Sequence, residues 1–424
     1  MKFAVTQEVF KKALDVGALA AVSDTAQLDD ETIALLVKSV NISADKELIV
    51  KSGHNLLATR YAMEADKKKG VSVTTAGSIL VPAKELIKWV SAQGKNSNII
   101  VEFKESKTPT TIDIQSEKSG DEVAKFTIRK IGTVKLVSED SAGTVGKWEL
   151  DCYDPDQGIQ VNFDATSKGD HMFDIQAQKL ATALTKVSSA CLDNDYTHLK
   201  DSVSIQNYKG TIYFAATDTK RCALYKGETV DNIDSDKSIL ISMKMLTLIA
   251  KALDAESKTV INYNFDNNKV YLSQKNVDVR ITCPDDDTIA NFSDISKLID
   301  KDYVSAGEVD RSAFLKVLTS AALVNKRSVL FSFDKDNKSM IVKAISENGT
   351  YKPTVSKTQI EGLEKDASAV WSAEHIIDLL KVVKTGQIAM MLPDNMKSVK
   401  FLSEDDPNFM YFLMAISNHK YTNV

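Results

Sequence analysis

The sequence predicts an α+β protein made of three tandem units, each with two helices packed on antiparallel sheet. One observation is a repeated apolar signature. Val5–Leu14, Ile175–Leu184 and Val309–Leu318 each open on an apolar residue, place a large apolar residue five positions on (Phe10, Leu180, Phe314) and Leu nine on. A second trio follows in step, at Ile79–Leu86, Ile239–Leu246 and Ala369–Ile376. The first trio is offset by 170 and 134 residues and the second by 160 and 130. One such match is ordinary amphipathic periodicity, whereas two ordered series at similar offsets mark an internal repeat. The remaining observation is that these helices come singly, among many short β-branched and aromatic runs.

The elements follow in order. The first unit, residues 1–168, opens with a strand at Lys2–Val5 and a helix over about Gln7–Gly17. Strand-like runs lie near Thr32–Val40, Glu47–Lys51 and Val71–Thr75. Ser78–Val81 leads into a helix from Pro82 to about Gln93, because proline suits a first helical turn, where its missing N–H leaves no partner wanting. A strand at Ile99–Phe103 and a hairpin around Pro109 come next. Residues 138–168 are polar and rich in Gly and Asp, with short strand candidates at Trp148–Leu150 and Ile159–Phe163, and read as an inter-domain segment or insertion.

The second unit, 169–303, opens near His171, and the third, 304–424, near Tyr303. Gly210–Ala216 and Lys269–Ser273 have strand composition, and Asn264–Val270 and Asp334–Lys338 read as hairpin turns.

Composition narrows the class of function. With 424 residues, 43% hydrophobic and 26% charged, the chain has room for two to four globular domains. No run approaches the ~18 apolar residues of a membrane span. The opening Met1–Val5 carries no apolar signal core, so a cytoplasmic location is expected. Cys152, Cys191, Cys222 and Cys283 form no Cys-x-x-Cys pair, and the five histidines fall in no ligand spacing, so reduced thiols and no cofactor are expected.

The net charge of −5 argues against a generic nucleic-acid binder, but its distribution is uneven. Six helix windows (7–17, 82–95, 174–190, 242–253, 310–327 and 373–384) hold 15 basic and 7 acidic residues, so the helices carry +8 and the rest −13. The basic residues also share faces: Lys84, Lys88, Ser91 and Lys95 recur at helical spacing, and Lys179/Lys186 and Lys244/Lys251 are seven apart. Solvation of outer helix faces explains one such helix. Six in an acidic chain also fit a positive surface facing a polyanion without reading its bases.

Several motifs resemble the bacterial sliding clamp family, the β subunit of DNA polymerase III. Ala215-Ala-Thr-Asp-Thr-Lys-Arg-Cys-Ala-Leu224 is similar to that family's Ala-Thr-Asp-Gly-His-Arg-Leu-Ala. Met1–Val5, Ser78–Leu86, Ala321–Ser328 and Tyr411–Asn418 resemble its N-terminus, its Val-Pro-Ala-Arg segment, a third-domain segment and its C-terminal strand. The resemblance spans essentially the whole chain.

It implies three clamp domains per chain and a head-to-tail homodimer closed into a ring, with helices lining the hole and sheet outside. It implies double-stranded DNA as a partner, and a polymerase and clamp loader that dock through short peptides. The docking pocket it implies is Leu199, Thr217, Thr219, Arg221, Cys222, Ser242, Leu246, Phe412, Met414, Ala415 and Ile416. Phe409–Ile416 reads equally well as a buried terminal strand, which is compatible with lining a pocket. The DNA-facing residues expected are Lys12, Lys84, Lys88, Lys179, Lys186, Lys244, Lys251, Lys316, Lys381, Lys384 and His198.

The chain departs from the family at Thr219-Lys220, where Gly-His is usual, at Ala415 and Ser417, which replace Pro and Arg, and at the acidic Asp24–Asp30, which replaces a stretch expected to touch DNA.

Two readings compete. Asp285-Asp286-Asp287 would suit Mg²⁺ in a metal-dependent hydrolase, or else forms a solvated acidic loop. Gly143–Lys147 has glycines and a lysine but lacks phosphate-loop spacing, and Trp148 stands where Ser or Thr is needed. A repeat scaffold that binds only protein is the other reading.

Overall fold

A computed structural model describes the chain except residues 24–30, 118–122, 144, 159, 162, 164–170, 192–200, 230–237, 265–267, 284–295, 335, 337–338, 356–365, 385, 394–395 and 418–424. The order of elements repeats three times. The first stretch runs β1 (Lys2–Thr6), α1 (Gln7–Gly17), the short α2 (Leu19–Val22) and α3 (Glu31–Val37), then β2 (Ser39–Ala44), β3 (Glu47–Gly53), β4 (Leu57–Glu64), β5 (Val71–Thr75), β6 (Gly77–Pro82), α4 (Ala83–Ala92), β7 (Asn98–Glu117), β8 (Val123–Glu139) and β9 (Val145–Tyr153).

The second runs β10 (His171–Gln176), α5 (Ala177–Val187), β11 (Ser202–Tyr208), β12 (Thr211–Thr217), β13 (Arg221–Thr229), β14 (Ser238–Ser242), α6 (Met243–Ala252), β15 (Lys258–Asn264), β16 (Lys269–Gln274) and β17 (Val277–Thr282). After α7 (Ser296–Ile299), the third runs β18 (Val304–Asp310), α8 (Arg311–Val324), β19 (Val329–Asp334), β20 (Ser339–Ser346), β21 (Gly349–Tyr351), β22 (Thr354–Val355), β23 (Ala367–Trp371), α9 (Ala373–Val382), β24 (Gln387–Leu392), β25 (Ser398–Ser403) and β26 (Asp406–Met414).

These elements gather into two compact units: Met1–Gln178 with Leu248–Cys283, and Lys179–Thr247 with Pro284–Val424. In the first, one hydrogen-bonded path runs β10-β15-β16-β17-β4-β3-β2-β6-β9-β8-β7-β1-β5. Alternation of apolar and polar residues buries one face of β16 and β17, as period-two patterning requires. On α1 the buried residues Phe10, Ala13, Leu14 and Gly17 follow helical spacing. Gly17 is required there, because a Cβ would lie 2.3 Å from the Val50 carbonyl oxygen.

The join between β17 and β4 is antiparallel, from Val277↔Tyr61 to Ile281↔Leu57. Across it Arg60 donates through Nε (2.9 Å) and Nη2 (2.7 Å) to Asp278 Oδ2. The buried ring of Phe163 lies 5.3 Å from that guanidinium.

The second unit holds the path β14-β11-β12-β13-β26-β25-β24-β18 and a smaller sheet, β21-β20-β19-β23, with β22 on β20. Here β13 joins β26, from Arg221↔Leu413 to Tyr225↔Phe409. Leu298 and Ile299 of α7, with Tyr303, cover a sheet face made of Tyr213, Cys222, Leu224, Leu240, Met410 and Phe412. Asp310 caps α8 by accepting from Ala313 N at 2.8 Å, and Ser372 caps α9 by accepting from His375 N at 3.3 Å.

Three local expectations are corrected. Residues 31–37 are helical rather than extended: Ala34-Leu35-Leu36 lacks period-two alternation, and Leu35 and Leu36 pack together on Leu80, Ile128 and Tyr153. The expected hairpin at Pro109 is absent, because β7 continues past it to Glu117. The ladder with β8 shifts register between Glu105 and Thr110, so the proline sits where no strand hydrogen bond is owed. Opposite this irregularity Gly132 lets the strands close, since a Cβ there would lie 2.1 Å from the Lys104 carbonyl oxygen. Finally, the short strand candidate Trp148–Leu150 is the middle of a longer element, β9, a nine-residue strand on β8.

Candidate functional site

The Ala216–Arg221 motif builds a tight turn between β12 and β13. Asp218 Oδ1 accepts from the backbone N–H groups of Lys220 (2.9 Å) and Arg221 (3.0 Å), and its Oδ2 accepts Arg221 Nε at 2.8 Å. Thr217 donates its hydroxyl to the Arg221 carbonyl (2.6 Å) and accepts from Thr219 N (3.1 Å). This web holds Thr219 at φ 76°, a left-handed conformation that β-branched residues seldom adopt.

Arg221 also donates Nη1 to Asp378 Oδ2 of α9 at 2.9 Å, with its side chain 5% exposed. Burial works against its charge, but Tyr411, Asp378 and Asp218 outweigh that and raise the guanidinium pKa. His375 sits with Nε2 4.0 Å from Asp218 Oδ2. Burial, then the Arg221 charge, lowers its pKa, so the imidazole is held neutral. Its Nδ1 is buried without a hydrogen-bond partner among the described residues.

Next to this buried pair a cleft of about 660 Å³ opens. Its apolar side is Leu413, Met414, Ala415 and Ile416, and its polar side is Lys220, Arg327, Ser328, Ser372, Glu374 and His375. The chain end is fixed there by backbone bonds: Met414 N–H donates to Lys220 O (2.9 Å), Ala415 N–H to Lys397 O (2.9 Å) and Ile416 N–H to Val370 O (2.8 Å). Met414 remains 48% exposed, unusual for a large apolar side chain at the end of a buried strand.

Of the eleven pocket residues expected from sequence, Met414, Ala415 and Ile416 line this cleft. Thr217 and Arg221 frame the adjoining turn and Thr219 is its exposed tip. Cys222 and Phe412 share a core cluster, Leu246 is buried in α6, and Ser242 is half-buried at the end of β14. Leu199 lies outside the described residues. Lys220, Arg327, Ser372, Glu374 and His375 were missed as lining residues. Each lay inside a motif the sequence had singled out, but only the tertiary arrangement aims them at one space.

The expected polyanion-facing lysines separate into two groups. Lys12, Lys84, Lys88, Lys244, Lys251, Lys316 and Lys384 are exposed and carry no ion pair among the described residues. Lys12 and Lys251 flank one open cleft of about 630 Å³ in the first unit, together with Lys11 and Lys95. Lys179 pairs with Glu228 (2.7 Å) and Lys381 with Asp378 (3.0 Å). Lys186 is largely buried, with Nζ 3.4 Å from Asp406 and over the Phe409 ring, so its charge serves packing rather than a phosphate. His198 and Asp24–Asp30 lie outside the described residues.

Asp285–Asp287 also lies outside the described residues. Among the described residues no three His, Cys, Asp or Glu side chains gather as metal ligands would, and no helix is long and apolar enough to cross a membrane. Gly143 leads into strand β9 rather than a helix, so the helix N-terminus that a phosphate loop needs is missing.

The threefold order of elements, with neighbouring stretches joined strand to strand, is the fold of the bacterial β sliding clamp. In particular, the structure is similar to the DNA polymerase sliding clamp from Bacillus subtilis, with TM-score 0.74 and 18% identity over 99% of this chain and 100% of that one. It is likewise similar to the beta subunit from DNA polymerase of Streptococcus pyogenes, with TM-score 0.75 and 13% identity over 99% of this chain and 100% of that one. Among curated proteins it is 22% identical over 253 residues to the Beta sliding clamp of Bacillus subtilis (strain 168), a match covering 59% of this chain. That match spans 65% of the curated relative, just under two thirds of its length. No family model matches the sequence.

Proposed function

We propose that the protein is a DNA sliding clamp: a ring of two chains that encircles duplex DNA, slides without reading sequence and tethers a replicative polymerase. The observation that carries this is the clamp fold over 99% of the chain, in a molecule whose exposed helix faces carry lysines. A closed ring dissociates only by opening, so weak, sequence-blind phosphate contacts suffice. We assign these to Lys12, Lys84, Lys88, Lys244, Lys251, Lys316 and Lys384. The acidic remainder of the chain discourages binding elsewhere. Clamp domains 1–168, 169–303 and 304–424 follow, with no catalytic step and a cytoplasmic location.

Ring closure has a rule within the chain. The fourth strand of the first stretch, β4, pairs with the last strand of the second, β17, and the fourth of the second, β13, with the last of the third, β26. The same rule assigns the fourth strand of the third stretch, β21 with its neighbour β22, to β9 of a second copy. That contact is heterologous and closes after two chains. The cleft beside Met414 then serves as the docking place for polymerase and loader peptides, an apolar groove with a few polar groups.

The test is assembly mass with particle images, followed by loading on circular DNA. A species of about 93 kDa, twice the 46.6 kDa chain, with a central hole and released by linearising the DNA, is expected. A single-chain species at micromolar concentration, or retention unaffected by linearisation, sinks the ring.

A further inference from the structure

We propose that α7 with the residues that follow it to Tyr303 is a releasable strap on the second unit: when it lifts, the sheet face around Cys222 is bared, and the hold of Tyr208 and Lys209 on Asp300 sets how often it lifts. The half-buried Leu298, Ile299 and Tyr303 pack on a face that includes Cys222 and Leu224 of β13, Leu240 of β14 and Phe412 of β26. The strap therefore lies over the join of β13 to β26. It stands outside the hydrogen-bond ladder, however. From Leu298 to Tyr303, among the described residues, its backbone makes no hydrogen bond to that sheet. Side chains alone attach it: Asp300 at the turn between β11 and β12, and Lys301, which donates to Ser398 Oγ of β25 at 3.0 Å.

The catch is rigid. Lys209 (φ 52°) and Gly210 (φ 75°) form a two-residue turn between Tyr208 and Thr211, with left-handed backbone at both central positions. The Tyr208 hydroxyl donates to Asp300 Oδ2, and Lys209 Nζ lies 3.2 Å from Oδ1 and 3.1 Å from Oδ2. Tyr208, then Lys209, holds the Asp300 carboxyl below the usual carboxylate range, so the catch is charged at neutral pH. Both ends of the ion pair are exposed, so salt screens it.

Closure is opposed at the other end. Lys400 Nζ lies 5.5 Å from the Tyr303 ring and 5.8 Å from the Phe412 ring, with no acidic partner among the described residues. Burial lowers its pKa, the sign of an ammonium that the closed strap desolvates. A cover held by side chains, with an exposed catch and a desolvated charge beneath it, opens locally more readily than its sheet unfolds.

The experiment alkylates the folded full chain with iodoacetamide at pH 8 and follows each cysteine by peptide mass spectrometry over hours. Cys222 reports the strap, while Cys152 and Cys283, also buried but in the first unit, report any wider unfolding. Asp300→Ala is expected to speed alkylation of Cys222 about fivefold and to leave Cys152 and Cys283 unchanged. Lys209→Ala moves Cys222 the same way by less, and about 500 mM NaCl speeds it in the unaltered chain but not in Asp300→Ala. Lys400→Met is expected to slow Cys222, because closure then buries no charge, and general destabilisation does not give that direction. A Cys222 rate unchanged in Asp300→Ala overturns the proposal. So does acceleration of all three thiols in step, because unfolding of the whole chain then exposes Cys222.

Discussion

Thr219 shows what a single residue costs when a turn demands a left-handed backbone. Its φ of 76° is held by hydrogen bonds that use backbone and neighbouring side chains, none of them its own. An L-residue with a Cβ loses about 1–2 kcal/mol there, and glycine's extra chain entropy returns about half of that. Thr219→Gly is therefore expected to raise stability by up to about 1 kcal/mol in urea titration. Arg221 is the opposite case. Arg221→Met strands Asp218, 4% exposed, without its cation and is expected to cost about 3–5 kcal/mol.

The buried thiols give a chemical test at the same scale. Burial pushes Cys152, Cys222 and Cys283 up to about 12, so only half-buried Cys191 is expected to react with Ellman's reagent at pH 8 before denaturant is added. Histidines set the acid limb. Burial lowers the pKa of both His54 and His375, so the folded protein keeps them neutral while the unfolded chain takes up protons below about 6.5. Their contribution is fully present above that pH and is lost as pH falls toward the lowered values. A melting midpoint that drops between pH 7.5 and 5.5 is expected.

Among the elements, the join of β4 to β17 is the most exposed to test. The Arg60–Asp278 pair is about three-quarters buried on the acid side, and the Phe163 ring backs the guanidinium. Arg60→Ala is expected to cost about 1–2 kcal/mol, with little added by Asp278→Ala in the double variant, because the two act as one contact. What sequence conveyed here was the helices and the repeated strands, since α1, α4, α8 and α9 announce themselves by apolar spacing and start signals. It did not convey that β7 runs through Pro109, because the compensating register shift is decided by Gly132 on another strand. Nor did it convey α3, whose short apolar run fits either period until Leu80 and Ile128 are in place. The cleft was half legible: Met414–Ile416 stood out by resemblance, while Arg327 and Glu374 gained meaning only once β26 and α9 were adjacent.

At the scale of the whole molecule, the prediction is electrostatic. Lys84→Ala with Lys88→Ala is expected to weaken DNA binding and to reduce the slope of log affinity against log salt by up to about 2, roughly one for each phosphate that is no longer neutralised. An unchanged slope would move the DNA path away from α4. Lys186→Ala, by contrast, is expected to reduce stability rather than DNA binding, because its ammonium is committed to Asp406.

The strand-to-strand joins carry a further consequence for how the chain is divisible. Strands β10 and β15–β17 of the middle stretch are stitched into the first unit, and β11–β14 into the second. The strands of the middle stretch are therefore divided between two hydrogen-bonded sheets, each shared with a neighbouring stretch. A protease cut near residue 168 or 303 is expected to leave the strand pairing in place, whereas a gene truncated at either point strips a sheet of its neighbour and bares a ready edge for aggregation. Sequence order describes how this protein repeats, and hydrogen-bond order describes how it comes apart.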